Sequence, residues 1–468
     1  MSGGRHFHGF GFAKSRLGRV GWTLAIALSV RMAVADQTAV EGNAAGASYA
    51  GVLPEGALWR ARVPQHWNGT LLLYSHGYAA QIQTPQLAPR GLEDWLLGHG
   101  YALAASSYSQ AGWALAQAVP DQRATLAVVT SRIGNPQVTI AWGDSMGGLV
   151  TTALAETPRV PIEGAVSACG SVAGTLAMMN TALDGAFAFV TLQAPDAGIQ
   201  LVDVADDAAN AARVTQAVAH AMQTPQGRAR IALAGALGGL PVWTDPAAAA
   251  PAQHDYPAQL GEMAKAVGAG LFPPRTDQEH RAGGVLSWNT GIDYRAQLRR
   301  TGRWGWVERF YRLAQLNLGQ DLQRLNAAPR IAGQPAAIAY MRRHYAPTAR
   351  PLVPFLTLHT IGDGLTSEVL QAGYSLAAAQ GVRSRNYRAA SVQGAGHCRF
   401  TPGEYVAALR TVELRLRAGR WSADPATLNA RVATSGLGAG RFIAHRSAPL
   451  VRPCWATAPR CEGEPAPR

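Results

Sequence analysis

The sequence predicts an α/β fold built on a mostly parallel sheet. Three observations lead there. Short β-branched and apolar runs alternate with Ala/Leu-rich helical runs between residues 57 and 169. One of these runs, Val138-Thr139-Ile140-Ala141-Trp142, leads straight into Gly143-Asp144-Ser145-Met146-Gly147 and a further helical stretch. The alternation then stops, and it resumes at residue 352.

In chain order, residues 57–63 and 70–75 read as strands, 92–98 as a helix and 101–107 as a strand. Residues 111–131 are helical, with Pro120 marking a break or a first turn. Strands follow at 138–142 and 162–169. Residues 170–350 are rich in Ala, Gln and Arg, with helical patterns at 203–222, 259–267 and 303–325. This segment reads as a helical cap inserted into the sheet domain; a second independent domain is the alternative, and resumption of strands argues against it. Residues 352–360 are a strand, 367–380 a helix, 384–391 a strand and 402–418 a last helix. The expected organisation is therefore 36–169 and 351–420 as one α/β core, 170–350 as the insertion, and 421–468 as an Arg/Pro-rich tail with a strand-like piece at 441–446.

Residues 1–35 read as an export signal. Arg5, Lys14, Arg16 and Arg19 precede a short apolar run at 20–30, and Ala33-Val34-Ala35 offers a small-x-small cleavage site. The apolar run is too short to span a bilayer stably, and no other segment reads as transmembrane. The expected location is periplasmic or secreted. The chain of 468 residues has 48% hydrophobic and 15% charged residues, which predicts a folded protein. Its formal charge is +13, but the Arg residues are scattered with no basic block and no interleaved aromatics, so nucleic-acid binding is not expected. Cys169, Cys398, Cys454 and Cys461 form an even set in an exported chain. Cys454 and Cys461 lie close together and suggest a local staple, which leaves Cys169 and Cys398 as partners; four separate thiols are the alternative. No metal-ligand spacing is present and no cofactor is expected.

The chemistry centres on Ser145. A strand-turn-helix context around G-x-S-x-G lifts the serine Oγ clear of the backbone, and the helix N-terminus brings N–H groups to where an oxyanion forms. A serine hydroxyl needs a base, and the base needs an acid to fix its tautomer. His397 lies in Gly394-Ala395-Gly396-His397-Cys398, between a strand and a helix. Asp363 follows a late strand between two glycines. Glu368 and Asp184 are the fallback acids, while Asp203, Asp206 and Asp207 read as a solvated helix face. The loop after residues 70–75 reads Ser75-His76-Gly77-Tyr78, so the Tyr78 N–H, with Gly77 the near alternative, pairs with the Met146 N–H as the expected oxyanion hole; His76 reads as a structural residue of that loop. Trp113, Trp288 and Trp304 are the candidate substrate-binding aromatics, with Trp243, Trp306 and Tyr294 behind them; packing within the insertion is the equal alternative.

These motifs resemble the α/β-hydrolase superfamily over roughly residues 50–420. The His76-Gly77 loop, the Gly143–Gly147 elbow, Asp363 and His397 fall in that superfamily's order. The resemblance implies an eight-stranded, mostly parallel sheet with a cap inserted after the sixth strand. Tannase and feruloyl-esterase-like enzymes place a cysteine before the serine and bond it to one after the histidine. This chain has His397-Cys398, but Asp144 precedes Ser145, so it departs from that subfamily; a Cys169–Cys398 bridge would tether the histidine loop by another route. The expected activity is hydrolysis of a small-molecule carboxylic ester through Ser145, His397 and Asp363. A peptidase or amidase using the same residues is the nearest alternative, and a non-catalytic binding protein on a hydrolase scaffold is the other. Oligomeric state is not legible.

Overall fold

The computed structural model describes residues 39–43 and 46–466. The export signal read at 1–35 lies outside the described residues. Among the described residues ten strands form one sheet: β1 (Ala39–Asn43), β2 (Gly46–Val52), β3 (Leu58–Pro64), β4 (Thr70–Ser75), β5 (Ala102–Ser106), β6 (Val138–Asp144), β7 (Gly164–Ala168), β8 (Phe355–Gly362), β9 (Tyr387–Ala395) and β10 (Phe442–Ile443). Their order across the sheet is β1-β2-β3-β5-β4-β6-β7-β8-β9-β10. The pairings from β5 through β9 are parallel, whereas β1, β2, β3 and β10 join antiparallel at the flanks.

The sheet therefore exceeds the expected eight strands. β1 and β2 come from an Ala/Gly-rich stretch whose β-branched residues are Val40 and Val52, without the continuous apolar runs that mark the inner strands, and every position of β2 is at least partly exposed. Neighbouring strands, not intrinsic propensity, make them extended. β10 is only two residues long. With β1 counted, the long helical stretch follows the seventh strand in chain order rather than the sixth.

Central strands are buried on both faces, as parallel strands covered by helices must be. On β4 the alternation is explicit. Leu72 and Tyr74 join one core with Val406, Leu409 and Val412 of the helix Pro402–Ala418. Leu71 and Leu73 join another with Leu126 and Val129 of the helix Leu115–Ile133 and Leu149 and Val150 of the helix Met146–Glu156. Pro120 marks neither the expected break nor a first turn; it lies in the second turn of Leu115–Ile133, which continues past it.

Between β7 and β8 the chain is helical, from Thr175–Gln193 to Pro335–Tyr345. It has a core of its own, including Phe189, Ile231, Leu233, Met263, Leu298, Val307 and Leu322. The expected helix at 303–325 is two, Trp304–Leu313 and Leu318–Ala327. Gln315 takes a left-handed φ of 54° between them, and the Asn317 side chain caps the second. Asp206, read as part of a solvated face, caps the helix Asp207–Ala221 by accepting from Ala208 and Ala209 N–H. Among the described residues, Thr175–Gln193 is long and apolar enough to cross a membrane, but 83% of its apolar window is buried inside the protein.

The tail does more than lie on the surface. Arg452 is 2% exposed and donates to both carboxylate oxygens of Asp184, on the helix Thr175–Gln193. The Glu462 carbonyl accepts from Trp288 Nε1. Cys454 and Cys461 are bonded to each other, as are Cys169 and Cys398.

Candidate active site

The turn from β6 into the helix Met146–Glu156 holds Ser145 at φ 55°, ψ −126°, a conformation costly for a residue with a Cβ. Two glycines make this turn possible. A Cβ on Gly147 would lie 1.9 Å from the Ser75 carbonyl oxygen, and one on Gly143 would lie 2.5 Å from the same atom. Strand β4 and the turn thus approach too closely for any side chain. The Ser145 N–H donates to the Ala168 carbonyl at the end of β7, so the neighbouring strand ties the turn down.

Asp363 lies just beyond β8, at 0% exposure. Leu365 and Thr366 N–H groups donate to its Oδ1 at 2.9 and 3.0 Å. This is the tight turn that the flanking glycines permit. His397 lies just beyond β9. Its Nδ1 is 2.8 Å from Asp363 Oδ2 and its Nε2 is 2.9 Å from Ser145 Oγ. Burial pushes the Asp363 carboxyl up, but the charge that His397 carries when protonated and the hydrogen bonds from His359 and His397 outweigh burial and hold it well below the usual carboxylate range. Three residues that span 252 positions of the chain are thus one hydrogen-bonded row at the carboxyl ends of β6, β8 and β9.

Thr366 was not singled out by sequence. Its Oγ1 lies 3.0 Å from Asp363 Oδ2, 3.2 Å from His397 Nδ1 and 2.8 Å from the Cys169 carbonyl. Its place three residues after Asp363, in an Asp-Gly-Leu-Thr turn, is the signal that could have found it. The Cys169–Cys398 bond joins the end of β7 to the residue after His397, with Cα atoms 5.3 Å apart.

The loop after β4 packs directly on the serine: a Cβ on Gly77 would be 3.1 Å from Ser145 Cβ. His76 stacks on Tyr108, and its ring nitrogens reach the Gly77 and Ser107 carbonyls, so it braces the loop. The Tyr78 side chain is about half exposed at this edge. Ala79 forms a bridge with Gly112. Asp277, from the helical stretch, accepts from Trp113 N–H at 2.6 Å and from Arg281 Nε at 2.8 Å. From the same stretch, the Trp243 carbonyl packs against Gly362, and Pro246 packs against Gly396. Residues between β7 and β8 therefore press on all three loops of the site.

Asp144 is half-buried between Tyr74 Oη, which donates at 2.7 Å, and Tyr405 Oη at 3.4 Å. Burial raises its pKa, against the Tyr74 hydrogen bond and the His397 charge. Sequence showed this residue as a departure from a cysteine pattern, but not its tyrosine partners.

The candidate aromatics scatter. Trp113 is beside the loop after β4 and donates from Nε1 to Thr175 Oγ1. Trp288 is 0% exposed, packed with Cys454, Cys461 and Ile338, and lines no cleft. Trp304 lies under Arg295 and Arg299 and shares a surface hollow of about 410 Å³ with Tyr311 and Leu318, away from Ser145. Tyr294 is buried on Phe187. The fallback acids are engaged elsewhere, Asp184 with Arg452 and Glu368 with His445. Two clusters among the described residues have metal-like proximity, Cys169/His397/Cys398 and Cys454/Cys461/Glu464. In each the two sulfurs are bonded to one another, so neither cluster offers a thiolate.

The elbow, the loop after β4 and the Ser…Asp…His order follow the plan of the α/β-hydrolase superfamily, the resemblance read from the sequence. No family model matches the chain. It is 28% identical over 439 residues to an o-phthalyl amidase of Xanthobacter agilis, covering 84% of this chain and 93% of that protein. Among solved structures it is similar to Candida antarctica lipase A in its closed state, with 14% identity, TM-score 0.39, and 85% and 89% of the two chains covered. It is also similar to feruloyl esterase B from Aspergillus oryzae, with 13% identity, TM-score 0.37, and 80% and 81% covered.

Proposed function

We propose that the protein is an exported serine hydrolase that cleaves a small-molecule acyl compound through an acyl-enzyme. The observation that carries this reading is His397, bridging Ser145 Oγ at 2.9 Å and Asp363 Oδ2 at 2.8 Å. Ser145 Oγ attacks the carbonyl carbon while His397 Nε2 takes its proton. Asp363 holds Nδ1–H and stabilises the imidazolium that forms. The Met146 N–H at the helix start, with the Tyr78 or Gly77 N–H, receives the oxyanion, each donor contributing about 10²–10³ in rate. His397 then protonates the leaving group, and a water activated by His397 releases the acid. Residues 170–350 act as the cap over this site, between the core segments 36–169 and 351–420. Two disulfides suit an oxidising compartment, periplasmic or extracellular.

Carboxylic esters remain the first expected substrates. A second reading, amide hydrolysis by the same residues, is favoured by the similarity to an o-phthalyl amidase over most of both chains. A fluorophosphonate probe should label Ser145, and matched p-nitrophenyl esters and anilides, with an o-phthalyl amide among them, separate the two readings by kcat/KM. A folded protein whose Ser145 ignores the probe would leave only a binding role.

A further inference from the structure

Asp363 has a second imidazole against it. His359 sits on β8, four residues before the acid, and is 1% exposed. Its Nε2 is 3.4 Å from Asp363 Oδ2 and 2.5 Å from the Thr366 carbonyl oxygen. A carbonyl only accepts, so Nε2 bears a proton in any state of the ring. Glu368, 5% exposed, is the next carboxylate, held by Ser391 Oγ at 2.6 Å and by His445 Nε2 at 3.2 Å. His359 therefore lies between two buried acids.

The requirements of the site set a charge problem. A general base must rest neutral, so His397 cannot neutralise Asp363 before the reaction starts. Asp363 is fully buried, and an uncompensated buried carboxylate is costly. We propose, resting on the triad reading above, that His359 is a positioning residue carrying the standing positive charge opposite Asp363, so that the carboxylate is paired while His397 is neutral. The groups facing His359 are Asp363 beyond its own strand, Glu368 before the helix Val369–Gln380, His445 from the tail acting through Glu368, and His397 across Asp363; its cross-strand neighbour on β9 is Ser391. With His359 and His445 both charged, two cations balance two carboxylates. Burial opposes the charged ring, but the hydrogen bond and charge of Asp363, with the charge of Glu368, raise its pKa. By linkage, this pairing contributes stability that is full below the unfolded histidine pKa and is lost as pH rises through the raised folded value.

A cation opposite Asp363 repels a second positive charge formed on the other side of the same carboxylate. His359→Gln keeps a donor and removes the charge. The acid limb of its kcat/KM profile should move up by about one pH unit, with circular dichroism unchanged. A purely packing role would lower kcat/KM without moving the limb, and an unmoved limb in a folded variant overturns the proposal. Should that variant fail to fold, imidazole ¹⁵N shifts of the wild-type protein decide: His359 protonated on both nitrogens at pH 7.5 supports the proposal, and a neutral single tautomer overturns it. Fluorophosphonate labelling of Ser145 reports separately on the triad. An unlabelled serine beside a charged His359 would sink the hydrolase reading and leave the pairing intact.

Discussion

The sheet edge and the helical stretch between β7 and β8 are built under different constraints. At the edge, single atoms decide what the chain can be: Gly147 has no alternative when its Cβ would lie 1.9 Å from the Ser75 carbonyl. In the helical stretch, packing is distributed over many apolar side chains, such as Phe189, Ile231, Leu233 and Leu322, with close approach confined to a few helix crossings such as Gly185, whose Cβ would lie 2.7 Å from the Ala234 carbonyl. Close approach leaves a local mark in sequence; distributed packing leaves only periodicity. Substitutions at the edge should therefore act on chemistry, and those in the helical stretch on stability.

The sharpest break of this contrast is at the edge itself. Ser145→Ala and His397→Ala should each lower kcat by about 10⁴–10⁶ with melting temperature almost unchanged. Asp363→Asn should lower it by about 10⁴, because an amide that donates to Nδ1 fixes the wrong tautomer. Stopped-flow or end-point ester assays beside calorimetry check both halves. Losses under tenfold would mean that the hydrogen-bonded row is not the reacting unit.

The same contrast explains what was legible. Ser145, Asp363 and His397 each sit at the end of a strand among glycines, and the structure places the three within hydrogen-bond reach. Inner strands showed their apolar runs. β1 and β2 did not, because edge strands are held by pairing rather than composition. From sequence His359 reads as a structural or surface histidine and Thr366 draws no notice, because their places depend on which atoms a turn brings near Asp363, a long-range outcome with no pattern of its own. Trp288 was misread for the opposite reason: a buried tryptophan and a pocket tryptophan look alike until their neighbours are known.

The two disulfides sharpen the contrast next. Cys169–Cys398 closes a loop across 229 residues and Cys454–Cys461 one across 7. Loop-closure entropy gives about 5 kcal/mol for the first and about 2.5 kcal/mol for the second. Cys398→Ser with Cys169→Ser should also reduce kcat, because the tether next to His397 is lost, whereas Cys454→Ser with Cys461→Ser should leave kcat unchanged. Denaturant titration and kinetics on the two double variants separate these outcomes; equal kinetic losses would contradict the tether.

A smaller effect is expected where the tail meets the helical stretch. Arg452→Met strands the Asp184 carboxylate at 1% exposure and should cost about 3–5 kcal/mol. Pairing it with Asp184→Leu should recover most of that loss, since two apolar residues replace two buried charges. Turnover per folded molecule should not change in either variant. A drop in kcat for Arg452→Met that persists at full folding would mean that the tail reaches the site.

The smallest effect is predicted for Trp304→Ala. Trp304 is only partly buried against the helical core, and its ring is faced by Arg295 and Arg299 at 5.8 and 5.3 Å. Removing it forfeits exposed cation–π contacts worth about 0.5–1 kcal/mol each and opens no cavity beside Ser145. kcat/KM should stay within about twofold of wild type, since no contact that strengthens in the transition state is removed. Trp113→Ala is the matched control. Its backbone is held by Asp277 and its neighbour Gly112 bridges to Ala79, next to the proposed Tyr78 donor. That variant should lose more in kcat than in KM, because it loosens the loop proposed to receive the oxyanion. A reversed ranking, with Trp304→Ala the slower enzyme, would put the acyl pocket in the hollow between Trp304 and Tyr311 and move the substrate away from the edge.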